Sequence, residues 1–195
     1  SVFSDNRAEW ILADAGIQLA GAVNTPRGVD LTDAELIHIV NHSGMKVAFV
    51  ENPQMARRCR ELQAQMPGLR TLIEFNTSQC LAEGIRSLDD LEASGRERLR
   101  GGSAVVDERS ARIRKEDLFS LIYTSGTTGK PKGVMLTHAN IMSQVDCVPL
   151  EMSPTDRALS ILPVWHIFER MLEVFLISNG ACSYYTSVRH FADDL

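Results

Sequence analysis

The sequence predicts an α/β fold, built from βαβ units around a mostly parallel sheet flanked by helices. Three observations lead there. Apolar runs of strand length alternate with segments of helical period through the amino-terminal half. Cap and turn residues mark each change, and the later run Leu118–Thr124 is apolar almost without interruption. Strand and helix in alternation imply right-handed crossovers between parallel strands. A continuously apolar strand belongs where both faces of a sheet are covered.

Each element has its own signal. Ser1-Val2-Phe3 reads as the end of a strand. Asp5 is placed to cap a helix through Trp10, Ile11 and Ala15 that closes between Ile17 and Val23, before Asn24-Thr25-Pro26. Thr32-Asp33-Ala34-Glu35 matches a capping box, Leu36, Ile37 and Val40 form one apolar face, and Gly44 stops that helix. Lys46–Val50 is a short buried strand, and Met55, Cys59, Leu62 and Met66 recur at helical spacing as a core stripe before a strand at Leu69–Phe75. A helix from Leu88 leads into a stretch of charge, Gly and Ser ending near Lys115. After Leu118–Thr124 come a second strand at Gly133–Leu136 and a helix that Thr137 caps before His138-Ala139-Asn140-Ile141. Arg157–Leu162 reads as a strand, Pro163 as the break, Ile167–Asn179 as a helix, Gly180–Tyr185 as another strand, and His190–Leu195 as the opening of a helix. The expected organisation is a βα scaffold over 1–92, a charged surface connection over 93–117, and a loop-bearing portion over 118–195.

Bulk properties narrow the function classes. A chain of 195 residues, 44% hydrophobic and 23% charged, has the composition of an ordinary globular domain with one sizeable core. A net charge of −5 without a basic stripe argues against nucleic acid as a partner. Cys59, Cys80, Cys147 and Cys182 form no Cys-x-x-Cys pair, so they are expected to be buried free thiols in a reducing, cytoplasmic setting rather than a metal site. No apolar run reaches the ~18 residues of a transmembrane segment.

The stretch between the strands at 118 and 133 carries the chemistry. Ser125-Gly126-Thr127-Thr128-Gly129-Lys130-Pro131-Lys132-Gly133 combines three glycines, three hydroxyls and two lysines. Glycines let backbone N–H groups approach an anion, hydroxyls add donors, and lysine supplies a point charge suited to phosphate. A hairpin that merely turned the chain would need about two to five residues and none of these side chains. A Walker A loop does not fit, because Pro131 follows Lys130.

Residues Tyr123 to Gly133 are similar, position by position, to the signature of the adenylate-forming (AMP-binding) superfamily, which includes acyl-CoA synthetases, luciferases and peptide-synthetase adenylation domains. The resemblance implies a loop over the β- and γ-phosphates of MgATP while a carboxylate attacks the α-phosphate. The implied nucleotide-binding residues are Thr124, Ser125, Gly126, Thr127, Thr128, Gly129, Lys130 and Gly133. Lys132 is the implied catalytic cation, neutralising charge on departing pyrophosphate. Mg²⁺ is implied with ATP, but no metal ligand in this segment is assigned.

A second segment narrows the group. Leu159-Ser160-Ile161-Leu162-Pro163-Val164-Trp165-His166-Ile167-Phe168-Glu169-Arg170 resembles the Leu-Pro-x-x-His-x-x-Glu-Arg segment of long-chain fatty acyl-CoA synthetases. The resemblance places His166 near the acyl pocket and adenylate, at a strand-to-helix turn, in a positional role, since carboxylate attack on ATP removes no proton. Read from the residues alone, a histidine at a strand end need only be hydrogen-bonded there. Glu169 and Arg170 are expected to pair on the helix or to hold the segment in place. Ser4–Trp10 and Gly21–Gly28 look like the corresponding family region and are read as scaffold, and His138 as a helix start.

The family's downstream motifs, Tyr-Gly-x-Thr-Glu, Thr-Gly-Asp and a carboxy-terminal domain with an essential lysine, do not occur here. Both chain ends fall inside predicted elements. The expectation is a partial amino-terminal domain, inactive alone, with an unpaired sheet edge and uncovered apolar faces. The resemblance implies a complete enzyme that takes a fatty acid, ATP and the thiol of CoA, or the pantetheine of an acyl carrier protein, and is compatible with peripheral membrane association. The alternative is a short, non-catalytic binding module that retains the fold.

Overall fold

Short apolar runs form the first sheet. Strands β1 (Val2–Phe3), β2 (Val47–Val50), β3 (Thr71–Glu74) and β4 (Ile85–Ser87) lie in that order and all pair in parallel. The computed structural model describes residues 1–75, 84–124 and 130–186. Successive side chains of these strands alternate between two faces, as a pleated strand requires. Phe3, Ala48, Val50, Leu72 and Ile85 join Leu36, Ile39, Val40, Met55 and Cys59 of helices α2 (Asp33–Ser43) and α3 (Pro53–Glu61) in one core. Val2, Phe49 and Ile73 join Trp10 and Ala13 of α1 (Ala8–Leu19) and Leu88 of α4 (Leu88–Arg100) in another.

Local capping follows the sequence at α2. Thr32 accepts from the Glu35 amide while Glu35 accepts from the Thr32 amide, and Gly44 closes the helix with φ +68°, a conformation that costs glycine little. Asp5 does not cap α1. The helix starts at Ala8 with Arg7 at its N-cap, whose side chain makes no capping bond. The Asp5 amide is instead tied to Glu51 Oε2 at 2.7 Å, beyond the end of β2.

Part of the charged surface stretch after residue 92 is helical. α4 runs on to Arg100, and α5 (Val105–Ser110) follows. Glu and Arg are strong helix formers, and the exposed Glu92–Arg96 pair sits at i,i+4 spacing, so a solvated charge run here coincides with helix.

The second half pairs differently. β5 (Leu118–Thr124) and β6 (Lys132–Thr137) are antiparallel, with a register shift between Leu118 and Ser120. Asn24 docks on the other edge of β5, donating its amide to the Phe119 carbonyl and accepting from the Leu121 amide. α6 (His138–Val145) opens on a capping box between Thr137 and Asn140. β7 (Arg157–Ser160), α7 (Ile167–Ser178) and β8 (Cys182–Tyr185) form a parallel βαβ unit. Phe119, Ile141, Val145 and Phe175 make a third core between these elements.

Some apolar surface is open. Met135 on β6 is 68% exposed, and a groove of about 960 Å³ lined by Leu12, Ile17, Val47, Ile73 and Leu91 lies between α1 and α4. Among the described residues no helix is long and apolar enough to cross a membrane. The cysteine expectation holds for Cys59, whose buried thiol is pushed up to about 11. Cys147 and Cys182 are exposed: one follows the end of α6, and the other points to the outer side of β8. Cys80, like the segment 190–195 read as a helix start, lies outside the described residues.

His138 supplies a test of this packing. Its ring meets Phe119 edge-on at 5.3 Å, and burial is the main cause holding its pKa below 6.5. The unfolded chain therefore binds more protons just below pH 6.5, so stability is full above that pH and falls as the pH drops through the folded pKa. Urea unfolding at a series of pH values should show His138→Phe losing less stability than the native chain between about pH 7 and pH 5. Parallel losses would contradict this.

Candidate functional site

The β5–β6 hairpin sets the predicted phosphate-binding residues. Tyr123 pairs with Gly133 and Thr124 with Lys132, so the two ends of the 125–131 stretch lie side by side at one edge. Ser125, Gly126, Thr127, Thr128 and Gly129 lie outside the described residues. Of the other nominated residues, Thr124, Lys130 and Lys132 are exposed at the hairpin end. Neither lysine forms an ion pair with a described residue, which leaves both charges free for an anion. Gly133 has a packing reason of its own. A Cβ there would come within 3.2 Å of the Tyr123 ring, tighter than ordinary contact.

Helix α2 meets the hairpin base with two histidines one turn apart. His38 Nε2 lies 3.0 Å from the Pro131 carbonyl oxygen, and His42 Nδ1 lies 2.6 Å from the Tyr123 hydroxyl. Both imidazoles stand edge-on to the Tyr123 ring, whose phenol burial pushes above its ordinary range.

The second motif sits at the β7–α7 turn, as the sequence implies. His166 is the N-cap of α7, and its Nδ1 accepts the Phe168 amide at 3.3 Å. A ring that accepts at Nδ1 is neutral and carries its proton on Nε2, so this exposed imidazole offers one N–H donor.

Glu169 and Arg170 do not pair with each other. The Ser160 hydroxyl donates to Glu169 Oε1 at 2.6 Å, tying α7 to the end of β7. Burial pushes the Glu169 carboxyl up, the Ser160 bond opposes this, and Glu173 adds to it. Arg170, 1% exposed, reaches Asp14 of α1 through two bonds of 2.8 and 2.6 Å and also donates to the Ser120 hydroxyl on β5. Adjacent helical residues point in different directions, so these two serve different neighbours.

The network extends further. Asp14 also accepts from Asn24 Nδ2 at 2.8 Å, and the Ser120 hydroxyl donates to the Asn24 carbonyl at 2.9 Å. The Arg170 guanidinium lies 4.2 Å from the Phe119 ring centroid and 5.8 Å from that of Trp10. Asn6 clamps the start of the second motif: its Nδ2 donates to the Leu162 carbonyl at 2.7 Å and its Oδ1 accepts the Val164 amide at 2.9 Å. Arg27 joins the two motifs, donating to the Tyr123 carbonyl at 3.4 Å while its guanidinium stacks 5.3 Å from the Trp165 ring, beside His166. A Cβ at Gly28 would collide with Trp165 Nε1 at 2.7 Å, so only glycine leaves room for that ring.

Sequence reasoning read Asn6, Asn24 and Arg27 as scaffold and did not single out Asp14 or Ser120. Asp14 on an otherwise apolar helix face and Ser120 inside an apolar strand were the available signals. No group of three or more His, Cys, Asp or Glu residues able to hold a metal occurs among the described residues.

The family model for AMP-binding enzymes matches residues 1–195. A chloroplastic long-chain-fatty-acid–[acyl-carrier-protein] ligase of Arabidopsis thaliana is 38% identical across 100% of this chain, which spans 28% of that protein. Long-chain-fatty-acid–CoA ligase 1 of Homo sapiens is 30% identical over 92% of this chain and 27% of its own length. The N-terminal domain of a Mycobacterium tuberculosis protein, FACL13, superposes with TM-score 0.71 at 27% identity, over 98% of this chain and 45% of that one. An anthranilate CoA ligase bound to anthranoyl-AMP superposes with TM-score 0.77 at 20% identity over 100% of this chain and 36% of its own, which speaks to the fold alone. The chain thus spans little more than a quarter of the curated relatives it matches.

Removing one partner of a buried ion pair strands the other. Arg170→Met is expected to destabilise the chain by about 3–5 kcal/mol, read by urea unfolding followed by circular dichroism. The double variant Asp14→Leu/Arg170→Met should lose clearly less than the sum of the single losses. Strict additivity would contradict the pairing.

Proposed function

The chain belongs to the AMP-binding enzyme family, and from that premise we propose that the whole protein is an acid–thiol ligase for long-chain fatty acids. The observation that carries this reading is the β5–β6 register, which brings Thr124 and Lys132 together at the two ends of a stretch rich in hydroxyls, glycines and lysine. In the proposed reaction a fatty-acid carboxylate oxygen attacks the α-phosphorus of ATP. The bond from that phosphorus to its bridging oxygen breaks, and pyrophosphate leaves. A thiol sulfur then attacks the acyl carbonyl carbon, and AMP leaves.

The roles follow from chemistry at each position. Thr124, Ser125, Thr127 and Thr128 donate hydroxyls to the β- and γ-phosphates, Gly126, Gly129 and Gly133 let the backbone approach, and Lys130 adds charge. Lys132 neutralises the pyrophosphate as it departs, a term that matters most in the transition state. His166 offers its Nε2–H to the acyl carboxylate or its adenylate as a positioning donor. Glu169 and Arg170 hold that turn. Mg²⁺ accompanies ATP in this reading, and no step is assigned to it.

CoA is the proposed thiol acceptor. Pantetheine on an acyl carrier protein is the second reading, favoured by the 38% identity to a ligase whose name specifies that carrier. Both acceptors present the same thiol chemistry.

In the full-length protein, Lys132→Ala should lower fatty-acid-dependent ATP–pyrophosphate exchange by about 100-fold, with fatty-acid binding changed far less. Unchanged exchange would remove Lys132 from this role.

A further inference from the structure

We propose that His38 and His42 of α2 are positioning residues that set the backbone of the phosphate-binding lysines, a reading that rests on the ligase function above. The two imidazoles stand at i and i+4, on one face of the helix. Each reaches one side of the hairpin base: His38 the Pro131 carbonyl at 3.0 Å, His42 the Tyr123 hydroxyl at 2.6 Å. Apolar side chains at the same spacing would satisfy packing alone. Two polar contacts aimed at the two ends of one loop do more than pack.

The Pro131 contact matters most. The β-ladder ends at the Thr124–Lys132 pair, so Pro131 lies just beyond the last paired residue. A carbonyl oxygen only accepts, so His38 Nε2 must carry a proton and donate to it. That bond fixes the plane of the Pro131–Lys132 peptide, and with it the direction in which the Lys132 side chain leaves the backbone. Proline's own φ is already fixed by its ring, which leaves ψ of Pro131 as the dihedral the histidine holds. Lys130 on the other side of Pro131 is referenced to the same anchored carbonyl.

On the opposite strand, the His42 bond fixes the Tyr123 phenol. The Tyr123 ring in turn lies against Gly133, 3.2 Å from where a Cβ would stand. The clamp therefore runs from α2 through Tyr123 to Gly133 on one side, and from α2 through Pro131 to Lys132 on the other. α2 also contributes Leu36, Ile39 and Val40 to the core of the parallel sheet, so the lysines are referenced to the most buried part of the chain.

The test compares His38→Ala, His38→Gln and Tyr123→Phe in the full-length protein. Amide hydrogen exchange is read for Lys132–Val134 and for β2 and β3, beside KM for ATP and for fatty acid in pyrophosphate exchange. In His38→Ala, exchange at Lys132–Val134 and KM for ATP should each rise by about tenfold, with β2, β3 and KM for fatty acid little changed. Gln keeps an N–H donor and should recover most of both effects. Tyr123→Phe keeps the ring and should show a smaller rise. Unchanged protection and KM in His38→Ala would overturn the proposal, as would protection lost equally in β2 and β3, or no recovery in His38→Gln. If the native protein shows no pyrophosphate exchange yet protection at Lys132–Val134 depends on His38, the ligase reading fails and the clamp stands.

Discussion

The buried pairing of Arg170 with Asp14 is the constraint on which this structure turns. A guanidinium 1% exposed to solvent must have its donors answered, or the fold loses several kcal/mol. Its Nε and Nη2 are met by the Asp14 carboxylate, its Nη1 by the Ser120 hydroxyl, and its face by Phe119. The planar fork of arginine suits this, because one head group can address a carboxylate bidentately and still reach a third partner. Those partners come from α1 and β5, while Arg170 itself stands on α7. Satisfying one cation thus fixes the first α/β unit, the β5–β6 hairpin and the His166 turn against one another. Apolar contact alone would allow these elements to slide, whereas a fully bonded charge tolerates little displacement.

The two functional motifs hang from that frame through smaller polar contacts. Asn6 pins the Leu162–Val164 backbone, Ser160 pins Glu169, and Arg27 touches both the Tyr123 carbonyl and the Trp165 ring. Asn6 and Arg27 reach a motif from outside it, and Ser160 ties the second motif's strand to its helix. The lysines that would meet a polyphosphate stay exposed, while the residues that orient their strands are buried or half-buried. This division suits a reaction in which positioning and charge do most of the work.

Local features were legible in the sequence. The capping box at Thr32/Glu35, the Thr137 cap, the Gly44 stop and the strand at Leu118–Thr124 all depend on neighbours within a few residues. The two strands flanking the 125–131 stretch and the strand-to-helix turn at His166 were legible for the same reason, but the antiparallel pairing of those strands was not. What lay beyond reach was long-range pairing. Arg170 and Asp14 are separated by 156 positions, and nothing in their spacing couples them. Arg170 therefore read as pairing with adjacent Glu169 or as holding its segment in place, with no partner named, and Asn6, Asn24 and Arg27 read as scaffold. Asp5 read as a cap because its side chain is of capping type, yet α1 starts only at Ala8, with Arg7 at its N-cap. The charge run after residue 92 read as a connection because solvation and helix formation leave the same composition.

The most direct test of adenylate formation is mass spectrometry of a reaction containing the full-length protein, ATP and a long-chain fatty acid, with no thiol present. The account predicts a fatty acyl-adenylate accompanied by an equal amount of pyrophosphate. Acyl phosphate with ADP, which would place attack at the γ-phosphorus, would contradict it.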